Sequence, residues 1–241
     1  MKTLTTGYAE LDRLTGGLKA GEIFLLSSAA GAGKQSLALN IVRNIVRQEK
    51  AVLFFSLEES GEQIAQRLLS QESGVPLEKI QDRTGTSPAE AGKINRALME
   101  CKKWDLLIDE TARIEFFELS KKARHIQELG EEDPDEFPTL DLIVVDRLQL
   151  MKAGEDGFPG VIRDLKGLAE ELGIPVLVLA EEDKTAPERE DAADTYVYLC
   201  RDGEEAGLTV FKSESGAEGG LDLHFDLKTL VFTPRASVGE R

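Results

Sequence analysis

The sequence predicts an α/β domain: a mostly parallel sheet with helices on its faces and an antiparallel extension at its C-terminal end. Three observations predict it. Short β-type runs alternate with helical patterns over most of the chain. A glycine-rich turn joins one of the buried strands directly to a helix. After Ala180 the alternation stops, and strand-like runs follow one another.

Taken in order, Ile23–Ser28 (IFLLSS) reads as a buried strand. Leu37, Ala38, Ile41, Val42, Ile45 and Val46 then recur at helical spacing, which predicts an amphipathic helix from Lys34 to Gln48. Ala51–Ser56 (AVLFFS) is the next strand. A helix over Glu62–Gln71 follows, then a stretch punctuated by Gly, Ser and Pro, and another helix over Ala89–Lys102. Trp104–Asp109 (WDLLID) is strand-like. Leu119, Ala123, Ile126 and Leu129 mark the inner face of a helix that turns Lys121, Lys122 and Arg124 to solvent. Glu128–Pro138, with six acids and no base, predicts a solvated loop. The strand Leu142–Asp146 (LIVVD) comes next, then a helix lined by Val161, Ile162, Leu165, Leu168, Ala169 and Leu172, which feeds the strand Pro175–Ala180. Thr195–Cys200, Leu208–Lys212 and Leu221–Asp226 supply the antiparallel extension. No repeat, low-complexity tail or linker interrupts the pattern, so residues 1–241 are expected to form a single domain.

Composition bounds the function classes. With 241 residues, 41% hydrophobic and 31% charged, the chain can bury a core and is too apolar to be disordered. Its longest apolar runs fall far short of the roughly 20 residues of a membrane-spanning helix. The N-terminus lacks the apolar stretch of a secretory signal, and Cys101 and Cys200 cannot build a disulfide framework, so a cytoplasmic setting is expected. Both thiols are expected to be buried, and His125 and His224 to lie on the surface. The formal net charge of −16 disfavours DNA binding, because affinity for a phosphate backbone needs Lys and Arg to release counterions. Trp104 and the few tyrosines form no stacking platform for single strands.

The chemistry concentrates on the strand–turn–helix at Ser28-Ala29-Ala30-Gly31-Ala32-Gly33-Lys34-Gln35-Ser36. Small residues let backbone N–H groups curl around phosphate oxygens, the helix N-terminus adds positive potential, and Lys34 can reach a terminal phosphate. The strict phosphate-loop pattern fails twice: Ser28 stands where a first glycine is usual, and Gln35 replaces the hydroxyl that normally holds Mg²⁺. Alone, the pattern supports a ligand-free glycine-rich turn equally well. A dinucleotide loop is disfavoured because Ser36 stands where its third glycine belongs. Context favours nucleotide: Asp146 ends LIVVD, where a carboxylate would hold Mg²⁺ through water, and Glu58, just past AVLFFS, could orient or deprotonate an attacking water.

With these residues in order, nearly the whole chain resembles the C-terminal RecA-like motor domain of the DnaB-type replicative DNA helicases. TTGYAELDRLTGGLKAGE is similar to that family's opening segment, AGAGK to its phosphate loop, FSLEES to its catalytic-glutamate segment and VVDRLQLM to its Mg²⁺-binding strand; IPVLVLA and YLCRD continue the likeness. The resemblance implies a RecA-like P-loop fold, ATP and Mg²⁺ as cofactors, and a homo-oligomeric ring or a replication partner. The family's N-terminal helical domain is not expected in this chain.

Several positions depart from what the resemblance implies. Gln35 lacks the Mg²⁺-binding hydroxyl, and Ser36, about 100° further round the helix, cannot take over. Glu181, followed by Glu182 and Asp183, stands where the family has a glutamine that senses the terminal phosphate; a carboxylate there repels a triphosphate unless a cation or proton intervenes. The family's arginine finger corresponds to Glu214 in Lys212-Ser213-Glu214, a loss that costs roughly 10³ to 10⁵ in rate, and Arg147 and Arg201 are the nonaligned candidates to replace it. The segments that carry DNA-contacting loops in the family are shorter here, and Lys184–Asp194 adds no basic cluster. The expected function is a nucleotide-binding domain with weak or no hydrolysis and a regulatory or interaction role. The alternatives are an active ring helicase and a structural domain with a vestigial site.

Overall fold

The computed structural model describes residues 3–82, 85–153, 155, 157–181, 193–213 and 217–235. In chain order the elements are β1 (Thr3–Leu4), α1 (Ala9–Thr15), β2 (Leu18–Lys19), β3 (Ile23–Ser28), α2 (Lys34–Val46), β4 (Ala51–Ser56), α3 (Gly61–Ser73), α4 (Leu77–Asp82) and α5 (Pro88–Cys101). They continue with β5 (Leu106–Asp109), α6 (Phe116–Glu132), β6 (Leu140–Asp146), a 3₁₀ turn (Leu148–Leu150), α7 (Gly157–Leu172), β7 (Val176–Glu181), β8 (Thr195–Asp202), β9 (Glu205–Lys212), β10 (Gly219–Asp226) and β11 (Val231–Pro234).

Among the described residues, nine strands form one sheet in the order β11-β10-β9-β8-β3-β7-β6-β4-β5. The stretch from β8 to β5 is parallel, and β9, β10 and β11 add to it antiparallel. This is the predicted α/β architecture with its antiparallel extension. The central parallel strands β3, β4, β6 and β7 are buried on both faces, which is why they read as continuous apolar runs, while the edge strand β5 is half-buried. Phe24, Leu26, Phe54 and Val144 face one core, with α1, α2 and α3, while Leu25, Phe55, Val145 and Val178 face the other, with α6 and α7. Successive residues alternate between the two because the pleat has a period of two.

Helix starts follow capping chemistry. Ser60 with Gln63 and Ser87 with Glu90 form complete capping boxes that satisfy the first free N–H groups of α3 and α5. Helix α6 corrects one expectation: Glu128–Glu132, predicted as loop, form its last turns. Glutamate is a good helix former, and a run of acids does not by itself stop a helix. Gly130 lets the returning chain pass closely, since a Cβ there would lie 2.6 Å from the Pro138 carbonyl oxygen. Lys121 is exposed as predicted, but Lys122 and Arg124 are half-buried and paired, with Asp109 at 2.7 Å and Glu171 at 2.7 Å.

A cavity of about 690 Å³ lies between α3, α4, α5 and β5, lined by Leu68, Leu69, Ile94, Leu98, Trp104 and Leu106 among others. On the opposite flank, α2 is joined to both ends of the described chain by buried Asn40. Its Oδ1 accepts from the Phe232 N–H at 2.7 Å, its Nδ2 donates to the Leu230 carbonyl at 3.3 Å, and the Tyr8 hydroxyl lies 3.1 Å from Oδ1 and from the Phe232 carbonyl. Burial pushes the Tyr8 phenol well above its ordinary pKa, so it serves as a neutral hydroxyl. Truncation by Asn40→Ala strands buried donors and acceptors in three segments; urea denaturation is expected to show a loss of about 2–3 kcal/mol.

Candidate functional site

The parallel strands all point their C-terminal ends to one edge, the place where open α/β sheets bind ligands. Register fixes what meets there: Ser28 of β3 pairs with Glu181 of β7, Ser56 of β4 with Asp146 of β6. The turn after β3 leaves Ala29, Ala30 and Gly31 exposed, buries Ala32, and enters α2 through Gly33 at φ 100°, a left-handed conformation that favours glycine. A Cβ at Gly33 would also approach the Phe232 ring to 3.1 Å. The turn is tightened by the Ala32 N–H donating to the Ala29 carbonyl at 3.3 Å and by the Leu37 N–H donating to that of Gly33 at 3.0 Å.

Helix α2 buries ten of its thirteen residues, Lys34 and Ser36 included. The Lys34 ammonium therefore needs a partner, and it lies 3.6 Å from Glu181 Oε2. Arg147 bridges Glu58 and Glu181, one guanidinium nitrogen to each carboxylate. Burial works against the Arg147 charge, but Glu58, Glu181 and Asp146 outweigh it and raise its pKa. Gln149 fixes the backbone of Glu181 at both of its groups, donating to its carbonyl at 2.9 Å and accepting from its N–H at 3.1 Å. Glu181 is thus held by Lys34, Arg147 and Gln149. Gln149 is not among the sequence-predicted site residues; its place in LQLM is the available signal.

Asp146 is buried and accepts a hydrogen bond on Oδ2 from the Gln35 amide at 2.7 Å. Burial raises its pKa from 3.8 to about 6, against the opposing pull of the Gln35 bond and the Lys34 charge. Arg201 lies on the other side of the loop. It donates to the carbonyls of Ala32 at 2.9 Å, Gly31 at 2.6 Å and Gly203 at 2.6 Å, and its guanidinium stands 4.9 Å above the Phe225 ring. A cavity of about 480 Å³ collects Lys34, Gln35, Glu58, Asp146, Arg147 and Glu181, with Phe225, Leu227 and Leu230 as apolar lining.

The sequence-predicted residues Ala30, Gly31, Gly33, Lys34, Gln35, Ser36, Glu58, Asp146 and Glu181 all line this cavity. Glu182, Asp183 and Glu214, with most of Lys184–Asp194, lie outside the described residues. Arg147 and Arg201 are both engaged inside the chain rather than projecting from it. His125 and His224 are exposed as expected, but Cys200 is exposed and Cys101 half-buried, because Cys200 falls on the outward phase of β8 near its end.

The loop fits phosphate: small residues, a helix N-terminus and a lysine converge on it. The fit to Mg²⁺ is poor. The carboxylate of Asp146 only accepts, so Gln35 presents its N–H₂ to it, and position 35 offers no hydroxyl oxygen. No group of three or more His, Cys, Asp or Glu side chains able to hold a metal occurs among the described residues.

Residues 3–233 match the family described as the DnaB-like helicase C-terminal domain. The chain belongs to that family. The replicative DNA helicase DnaB of Geobacillus stearothermophilus is 30% identical over 198 residues, covering 78% of this chain and 41% of the helicase. DnaB of Buchnera aphidicola subsp. Baizongia pistaciae is 35% identical over 228 residues, covering 86% of this chain and 46% of the helicase. The chain thus spans less than half the length of these curated relatives. Among solved structures, an ATPase domain aligns at TM-score 0.87 and 22% identity over 98% of this chain and 92% of that one. A DnaB-like replicative helicase, described with its interactions with primase, aligns at 0.86 and 22% identity over 96% and 61%. These likenesses bear out the RecA-like fold of this DnaB-type domain. No helix among its described residues is long and apolar enough to cross a membrane.

The raised pKa of Asp146 has a thermodynamic sign. The folded state holds this proton up to about pH 6, whereas the unfolded chain releases it near 3.8, so this group's contribution to stability falls as pH rises through that interval. Asp146→Asn removes the fall. Urea titrations from pH 4 to 7 are expected to show the variant gaining on the parent with rising pH, by on the order of 1–3 kcal/mol at pH 7.

Proposed function

We propose that this DnaB-type domain binds ATP at residues 29–36 but hydrolyses it slowly or not at all, and acts as a nucleotide-responsive regulatory or interaction module rather than a motor. One observation carries the reading: the groups that hydrolysis would draw on are already engaged with one another. Lys34 faces Glu181, Arg147 joins Glu58 to Glu181, and Gln35 takes up Asp146.

A bound nucleotide would supply the phosphoanhydride, and Mg²⁺ would normally neutralise its developing charge. Within the chain, the amides of Ala29–Gly33 and Lys34 bind phosphate, and Ser36 keeps the helix start packed. Glu58 is the carboxylate placed to handle a water, but its Oε2 is already taken up by the Arg147 guanidinium. Asp146 is the acid that would face Mg²⁺ through water. The partner is a second copy of the chain in a ring or a protein of the replication machinery, and the net charge of −16 disfavours DNA.

Family membership favours a second reading, a ring-forming helicase translocating on single-stranded DNA. Turnover assays with single-stranded DNA separate the two. The module reading expects less than about 0.01 s⁻¹, against 1–10³ s⁻¹ for typical enzymes. DNA-stimulated turnover at a motor's rate would sink it. The combined substitution Gln35→Thr, Glu181→Gln, Glu214→Arg is expected to raise turnover by a factor of about 10² or more. A variant that binds ATP with no such gain would show that these positions do not account for slow hydrolysis.

A further inference from the structure

We infer that the site is selective for a nucleoside diphosphate without a divalent cation, the Glu181 carboxylate taking up the cationic groups that the terminal phosphate of a triphosphate would otherwise engage. This rests on the nucleotide-binding reading above and names the ligand class of that same site. In a phosphate loop the lysine serves the terminal phosphates, and here its ammonium is turned to Glu181 Oε2 at 3.6 Å. Arg147, a second cation at that end, is bonded to the same carboxylate and to Glu58, and Arg67, which lines the same cavity, is held by both oxygens of Glu59.

The Glu181 backbone is fixed, since it ends β7 directly across from Ser28, where the loop begins, and Gln149 bonds both its N–H and its carbonyl. Its carboxylate is held by Lys34 and Arg147. Lys34 and Arg147 therefore meet three acids, Glu58, Asp146 and Glu181, at the strand ends. A terminal phosphate would add like charge to a cluster whose cations are already matched.

The cation's place is altered in the same direction. A Mg²⁺ ion ordinarily offsets the extra charge of a triphosphate, but Gln35 presents a donor toward Asp146 at 2.7 Å, where a cation needs acceptors. The loop side is different. Arg201 spends its nitrogens on the carbonyls of Gly31, Ala32 and Gly203 and meets no carboxylate among the described residues, so its positive charge remains beside the loop. Phe225, Leu227 and Leu230 add an apolar wall to the same cavity. Two phosphates on the loop amides use these features and leave the Glu181 cluster intact.

Calorimetric titration of the chain with ADP and ATP, each with Mg²⁺ or with EDTA, tests the inference. ADP is expected to bind about tenfold or more tightly than ATP, with Mg²⁺ changing ADP affinity by less than about twofold. Glu181→Gln should raise ATP affinity about tenfold and leave ADP within about twofold, and Gln35→Thr should make binding depend on Mg²⁺ by about tenfold. Circular dichroism establishes that each variant is folded, and the parent's ADP-to-ATP ratio stands without them. ATP with Mg²⁺ binding the parent more tightly than ADP overturns the inference alone. Absence of binding by either nucleotide overturns the nucleotide-binding reading and this inference together.

Discussion

Lys34 is buried, and a buried ammonium requires a negative partner; much of the sheet's carboxyl edge is arranged around that requirement. Helix α2 is enclosed on nearly every side, and Asn40 bonds its middle to both flanks of the chain, so its first turn is not free to tilt toward a better environment. The lysine is met instead by Glu181, and the surplus of acid this creates beside Glu58 is met by Arg147. Glu181 thus behaves as one corner of a lattice in which cations and carboxylates alternate, and its charge is largely spent within the chain.

Much of the fold was legible in the sequence, because the features that specify it are local. The strands Ile23–Ser28, Ala51–Ser56 and Leu142–Asp146 are continuous apolar runs, and the helix after Gly33 is written in the spacing from Leu37 to Val46. What escaped was held by tertiary contact. Helix α1 and strand β11 are short, and their places depend on bonds such as Tyr8 to Phe232, separated by 224 residues. The end of α6 is not legible in its acid run, because the same acids that suggest a solvated loop also include glutamates, which favour helix.

The site divides in the same way. Its positions could be read one by one, since a loop, a strand-end aspartate and a glutamate past a strand each leave a mark in the sequence. Their pairings could not: Gln35 and Asp146 are 111 residues apart, and nothing in either segment shows that an amide will donate to that carboxylate. Arg147 is the clearest case. In the sequence it is a nonaligned candidate to replace the family's arginine finger; in the fold it is turned inward to two acids of its own chain. Its role follows from the burial and charge of its neighbours, which a linear pattern does not record.

The cavity between α3, α4, α5 and β5 holds the chain's one tryptophan, Trp104, half-buried just before β5. Strand β5 stands four places from β3, roughly 19 Å across the sheet, and Trp104 precedes it at the end opposite the carboxyl edge. The domain therefore carries a built-in optical probe whose emission reports on the outer helical layer. Changes in its fluorescence would signal movement of α3 to α5 against the sheet, while local rearrangements of the ion pairs around Lys34 would leave its emission unchanged.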